Sequence, residues 1–390
     1  MWIEDEEFDK LHEECGVIGV YDRGNINSAR MAYYGLVALQ HRGQESAGIA
    51  VNNDGMITCY KEMGLVSKVF DQKILDLLNG DMSIGHVRYS TTGESFVTNA
   101  QPLVVKYKNG SLALAHNGNL INAEELRSEL EDQGMIFTTS IDTEVIACLI
   151  AKNYKGNIQE AIIKTMNVIK GAYALVIMTG DKLIGVRDKH GMRPLVLGKL
   201  ENGYVLASET CALDTVGAEF VRDIEPGEII TIDKNDYASI NARTDEKRAS
   251  CIFEYIYFAR PDSIMDDMSV YIARENAGRI LAAEQPADAD IVISVPDSGT
   301  PAAIGYANAS GIPYSTGLIK NRYIGRTFIQ PSQSMREMGV KLKLNPLKNA
   351  VAGKRVVMVD DSIVRGTTSK KIVQALRDAG AKEVHVRVAS

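Results

Sequence analysis

Short apolar runs alternate along the chain with polar, glycine-rich breaks, and the runs come in two kinds. CGVIGVYD (15–22), AYALVIM (172–178), RDKHGMRPLVLG (187–198) and YVLASET (204–210) read as strands interleaved with helices. Val356–Val359 and Ile291–Val295 carry no polar alternation, which predicts buried strands of a parallel sheet. Each of these two runs into a glycine-and-hydroxyl turn and then a helix-like segment. The spacing of Ile272, Ala273, Ile280 and Leu281 predicts a helix over 271–284. CIFEYIYFARPDS (251–263), unusually aromatic, reads as a core strand. Residues 231–250 turn polar and charged, and this shift marks the expected junction between two domains.

Composition adds little beyond an ordinary globular chain, 45% hydrophobic and 24% charged, long enough at 390 residues for two or three domains. The formal net charge of −7 leaves no electrostatic footprint for nucleic acid, so any phosphate is bound locally. No apolar run is long enough to span a membrane. The acidic start, MWIEDEEFDKLHEE, lacks an apolar signal core, which predicts a cytoplasmic address. Five cysteines (15, 59, 148, 211, 251) are scattered without a C-x-x-C pair, against a disulfide framework or a self-contained zinc site. His41, His86 and His116 lack ligand spacing and are expected to serve structural hydrogen bonds.

The densest chemistry lies in VVMVDDSIVRGTTS (356–369). Asp360 and Asp361 fall at the C-terminal edge of their strand, where open α/β sheets bind ligands. Arg365-Gly366 and the hydroxyls of Thr367, Thr368 and Ser369 open the next helix, aiming backbone N–H groups at an anion. A phosphate cradle beside two acids suits a sugar phosphate, the carboxylates taking ring hydroxyls or Mg²⁺. The spacing and Gly-Lys pair of a Walker loop are absent. The turn Pro296-Asp297-Ser298-Gly299-Thr300 repeats this logic and suits a pyrophosphate. By residue type alone, both stretches also read as ordinary strand–turn–helix corners.

The whole string 356–369 resembles the phosphoribosylpyrophosphate (PRPP) signature of type I phosphoribosyltransferases. That resemblance implies PRPP bound by Asp297, Ser298, Gly299, Thr300, Asp360, Asp361, Ser362, Arg365, Gly366, Thr367, Thr368 and Ser369. It also implies Mg²⁺ shared by Ser298, Asp360 and Asp361. Upstream, LQHRGQESAGIA (39–50), GHVRYSTTG (85–93), LAHNGNLIN (114–122) and TTSIDTEVI (138–146) follow Cys15 in that order. Together they resemble the glutaminase domain of N-terminal-nucleophile amidotransferases, and the chain as a whole resembles the glutamine PRPP amidotransferase family. The resemblance implies Cys15 as nucleophile, Asn117 and Gly118 as oxyanion donors, and Arg88 and Asp142 as ligands of glutamine's α-carboxylate and α-amine. By type alone, the same residues read as an Asn-Gly turn, a surface ion pair and a helix N-cap.

A thiol with a pKa near 8.5 needs a base, and a free α-amine titrates close to pH 8. Residues 1–14, with seven acids, are therefore expected to be a propeptide removed at Glu14–Cys15, which would free the amine of Cys15. The expected organisation is a propeptide (1–14), a four-layer αββα glutaminase domain (15–245) and an α/β phosphoribosyltransferase domain (246–390) that stops short of the family's C-terminal part. In iron–sulfur members of the family, a cysteine placed like Cys251 ligates a [4Fe–4S] cluster. The other three thiolates would lie beyond residue 390. The basic segment 321–354, with Arg326, Lys341 and Lys343, is expected to close as a lid over PRPP. The resemblance further implies purine nucleotide inhibitors and a homo-oligomer, a dimer or tetramer. An aminosugar synthase would lack the 356–369 string, and a non-catalytic PRPP-sensing regulator would need a basic DNA-binding face.

Overall fold

The computed structural model describes residues 15–89, 96–242, 247–321, 344–363 and 366–390. Residues 1–14, Arg365 and the cations Arg326, Lys341 and Lys343 lie outside the described residues. The chain divides into two compact units. The first ends at Cys251 and also takes in Ile264–Asp266, while the second comprises Ile252–Ser263 and Asp267–Ser390.

The first unit is built on strands β1 (Gly16–Asp22), β2 (Ser46–Asn53), β3 (Met56–Met63), β4 (Met82–Arg88), β5 (Leu103–Tyr107), β6 (Gly110–Leu120), β7 (Gly171–Met178), β8 (Leu183–Arg187), β9 (Val196–Lys199), β10 (Gly203–Ala207), β11 (Glu219–Asp223), β12 (Glu228–Ile232) and β13 (Tyr237–Asn241). They pair antiparallel in two sheets, ordered β11-β9-β10-β1-β4-β2-β3 and β13-β12-β8-β7-β6-β5. Strand β1 explains the absence of polar alternation. Val17 and Tyr21 face the second sheet, while Ile18 and Val20 face the helices Ser28–Ala38 and Thr210–Val216 on the outside. Strand β7 does the same in mirror fashion, with Val176 and Met178 between the sheets and Leu175 and Ile177 against the outer helices. Four layers, helix–sheet–sheet–helix, follow from strands that are buried on both faces. Gly19 marks the closest approach of the sheets, since a Cβ there would lie 2.6 Å from Val176 Cγ1. The polar stretch expected as a junction begins inside this unit: β12 is buried, and β13 is the exposed edge strand paired with it. Edge strands carry polar side chains, so the polar stretch starts before the unit ends.

The second unit has a parallel sheet with Arg355–Asp360 at its centre, flanked by Ile291–Ser294 and Glu383–Val388. The helix Thr300–Ser310 packs on one face through Ala303 and Tyr306 against Val292, Val357 and Val359. The helix Thr367–Asp378 covers the other through Ile372 and Leu376 against Ile293, Val356 and Met358. This is a doubly wound arrangement, with its loops at the carboxyl edge.

Two local expectations change. The segment 251–263 forms a wide helical turn, Glu254–Phe258, rather than a strand. Short apolar runs do not distinguish the two by pattern. Its backbone oxygens at Tyr255 and Ala259 accept bonds from the buried Arg274, at 2.6 and 2.8 Å. The helix Val270–Glu284 forms as expected, but Ile272 and Ile280 are exposed, and its buried face is Val270, Arg274, Gly278 and Ala282. Backbone approach selects that face. A Cβ on Gly278 would sit 1.9 Å from the Ala302 carbonyl oxygen, and one on Gly305 would sit 1.9 Å from that of Glu275.

Candidate active sites

Cys15 stands immediately before β1, buried, its Sγ 3.4 Å from the Tyr89 carbonyl oxygen that accepts its proton. The Arg42 guanidinium donates through Nε to the Cys15 carbonyl oxygen at 3.0 Å, and through Nη1 to Glu209 Oε1 at 2.6 Å. The side chains of Arg42 and Glu209 are completely buried. His41 Nε2 lies 2.7 Å from the same Glu209 oxygen. Sequence reading assigned no role to Arg42 or Glu209. The available signal was charge in apolar surroundings: His-Arg-Gly just past a helix end, and a glutamate two residues past strand β10.

Strand β4, next to β1, ends at Arg88, which is buried and paired with Glu45 at 3.1 Å. The facing sheet supplies Asn117 and Gly118 from β6. A bond between His86 Nε2 and the His116 carbonyl oxygen, 3.0 Å, ties the two sheets at this end. Burial drives the His86 pKa down to about 3, so the ring is neutral in the working range. Asn117 is fully buried, and neither its amide nitrogen nor its oxygen has a hydrogen-bond partner among the described residues. Buried polar groups are rarely left so. Gly118 takes φ +147°, and a Cβ there would lie 2.0 Å from the Ala172 carbonyl oxygen, which restricts the position to glycine. Asp142 opens the helix Asp142–Asn153, accepts the Leu120 N–H at 2.9 Å and lies 3.4 Å from His116 Nδ1. Burial opposes its charge, but His116 and the backbone donors outweigh that and hold its carboxyl below the usual range.

In the second unit the strands that lead into the two glycine-and-hydroxyl turns lie side by side in parallel register, Ser294 opposite Val359. Gly299 is wedged between them: a Cβ would lie 2.9 Å from the carbonyl oxygens of Val295 and Val359 and 3.3 Å from Asp360 Cα. Asp297, Ser298, Gly299 and Thr300 are thereby brought beside Asp360 and Asp361. Gly366, at φ +71°, precedes the helix that begins at Thr367, and Thr367 and Thr368 are exposed. Asp297 is itself exposed and paired with Lys320 at 2.7 Å.

Asp360 and Asp361 are both buried, and Asp360 Oδ1 accepts the Asp361 N–H at 3.0 Å. The hydroxyl of Ser362 donates to Asp361 Oδ1 at 2.7 Å. Burial, and then the charge of Asp361, push the Asp360 carboxyl up to about 7. Two crowded, hard oxygen donors fit Mg²⁺, which takes one or two carboxylates and completes its shell with water and substrate phosphates. Among the described residues no group of three or more His, Cys, Asp or Glu is gathered, so a cation here would share its ligands with substrate. Cys251 is half-buried, and the described residues do not by themselves fit a four-thiolate cluster.

A raised carboxyl pKa costs stability once the group ionises. No cost exists below about pH 4, where both states are protonated, and the full cost of up to ~4 kcal/mol is present above pH 7. Asp360→Asn is expected to raise the denaturant midpoint at pH 8, with the gain vanishing towards pH 4.

Residues 86–215 match the glutamine amidotransferase domain family, and residues 266–389 match the phosphoribosyl transferase domain family. The amidophosphoribosyltransferase of Archaeoglobus fulgidus is 54% identical over 96% of this chain and 82% of its own. The chain belongs to the amidophosphoribosyltransferase family. The Bacillus subtilis amidophosphoribosyltransferase is 52% identical over 97% of this chain and 80% of its own. A solved B. subtilis glutamine PRPP amidotransferase, complexed with ADP and GMP, superposes with a TM-score of 0.90 at 51% identity over 96% of this chain and 82% of that one. Amidophosphoribosyltransferases thus share the two-unit architecture along nearly the whole chain. Among the described residues no helix is long and apolar enough to cross a membrane.

Proposed function

We propose that the family's reaction, transfer of the glutamine amide nitrogen to PRPP as the first step of purine nucleotide synthesis, is carried out by the residues gathered at these two sites. Residues 1–14 are removed by hydrolysis of the Glu14–Cys15 bond, and the freed amine takes the Cys15 thiol proton during attack on the glutamine amide. Arg88 holds the α-carboxylate, as a guanidinium suits, and Asp142, kept ionised, holds the α-amine. The Asn117 amide and the Gly118 N–H stabilise the tetrahedral oxyanion. Water then releases glutamate from the thioester, and the ammonia set free displaces pyrophosphate from C1 of PRPP to give 5-phosphoribosylamine. The turn Asp297–Thr300 carries the pyrophosphate, and Ser362, Arg365 and Gly366–Ser369 carry the 5-phosphate. Asp360 and Asp361 hold the ribose hydroxyls or the cation as positive charge grows on the sugar. Mg²⁺, when bound, neutralises the leaving pyrophosphate.

The observation that carries this reading is the Asn117 amide, completely buried and without a hydrogen-bond partner among the described residues. Its Nδ2 donor is what a transient oxyanion site would leave waiting. Asn117→Ala is expected to lower glutamine-dependent kcat about 100- to 1,000-fold with little change in KM, measured by glutamate release. Release that rises when Mg²⁺ and PRPP are added is the expected result for the wild type. Glutamate release indifferent to PRPP, with no pyrophosphate formed, would sink the coupled reaction. Intact mass of active protein should begin at Cys15.

For a [4Fe–4S] cluster the proposal extends only to Cys251 as one ligand. Purine nucleotides are proposed as inhibitors, supported by the ADP and GMP in the related B. subtilis structure. A cytoplasmic homo-oligomer completes the proposal.

A further inference from the structure

We infer that Glu209 is a positioning residue for the Cys15 nucleophile, acting through Arg42 and the first residues of β1. This rests on Cys15 being the nucleophile of the proposed reaction. Backbone pairing between β1 and β10 stops at Ile18 opposite Ala207, three residues short of Cys15. Past that pair, Ser208 adds one more backbone bond, and the side chains of Ser208 and Glu209 complete the hold. Ser208 accepts the Val17 N–H through Oγ at 2.9 Å and donates its own N–H to the Val17 carbonyl at 3.0 Å. Glu209 then reaches the last point of the strand indirectly. It holds Arg42 at 2.6 Å, and Arg42 holds the Cys15 carbonyl at 3.0 Å.

The geometry leaves little slack. A Cβ on Gly16 would lie 2.9 Å from Val87 Cγ2 and 3.1 Å from Leu39 Cβ, with Arg42 Cβ in ordinary contact at 3.5 Å. Glu209 also faces His41 at 2.7 Å and the Cys211 thiol at 3.7 Å, so its carboxylate is held from several sides. Arg42 gains a counter-charge in a dry site, and Cys15 gains a carbonyl fixed against rotation. With its carbonyl pinned, the peptide plane after Cys15 is fixed, which anchors its Cα and limits how far the thiol can drift from the amide carbon. Effective alignment of reacting groups is worth large factors, and a displacement of about 1 Å costs about 100-fold.

The test compares Glu209→Gln, Glu209→Asp and the charge-neutral pair Arg42→Gln/Glu209→Gln in the full-length protein, with Cys15→Ala alongside. Each is assayed with glutamine, with ammonia, and by the rate at which Cys15 reacts with iodoacetamide. Glu209→Gln should lose about 10- to 100-fold in glutamine-dependent kcat and slow alkylation, with glutamine KM within about twofold and ammonia-dependent activity at the wild-type level. The neutral pair removes the penalty of a lone buried charge and should still show the kcat loss. Full recovery of kcat in that pair, or an equal fall of the ammonia reaction, would reduce Glu209 to a structural charge partner and overturn the inference. If Cys15→Ala keeps glutamine-dependent activity, the nucleophile assignment itself fails. If it loses that activity while Glu209→Gln matches the wild type, the inference alone fails.

Discussion

Cys15→Ala should lose at least about 1,000-fold in glutamine-dependent synthesis while retaining ammonia-dependent synthesis from PRPP. Thioester formation in the proposed reaction needs the Cys15 thiol, and neither the neutral His86 nor the hydrogen-bonding groups around it can replace that bond. The phosphoribosyltransferase residues lie in the other compact unit, so ammonia added from solution meets an unaltered Asp297–Thr300 turn and Asp360–Asp361 pair. The variant also reports on maturation, because a chain whose self-cleavage needs the thiol should keep residues 1–14 in its intact mass. Parallel loss of both activities in a folded variant would contradict two separate half-reactions.

Asp360→Asn and Asp361→Asn should lose about 100-fold or more with either nitrogen source, because ammonia from either source attacks the same sugar. For Asp360 the expected result is double-sided. The carboxyl, pushed up to about 7 by burial and by Asp361, is held where its charge destabilises the fold, so the amide variant gains stability at pH 8 while losing turnover. PRPP and Mg²⁺ should release a proton from the wild type near neutral pH as they bind, since a cation favours the ionised carboxylate. Calorimetry in buffers of different ionisation enthalpy measures that release. Its absence, or a variant with normal activity, would remove Asp360 from the site.

Much of this was legible in the sequence where pattern and chemistry coincide. The strand Arg355–Asp360, the acids at its end and the helix after Gly366 are adjacent in the chain, so local reading sufficed. The resemblance also named Asn117 and Gly118, but only the structure shows an orphaned amide and a backbone that excludes a Cβ. Glu209 escaped because its partners Arg42 and His41 are more than 160 residues away, and no local motif encodes a buried ion pair. The face of helix Val270–Glu284 escaped for a different reason. Hydrophobic spacing assumes that large apolar side chains seek the interior, but here two glycines let backbones touch and left Ile272 and Ile280 outside.

Ile264–Asp266 belongs to the first unit although the chain on either side belongs to the second. The Ile264 N–H bonds to Thr210 Oγ1 at 2.9 Å, and Asp266 pairs with the buried Arg187 at 3.1 Å. No single cut therefore separates the halves cleanly. A protease nick between Cys251 and Ile264 would leave a three-residue stitch of the downstream fragment sewn into the upstream one, and any gene fusion that borrows the glutaminase alone has to bring that stitch with it.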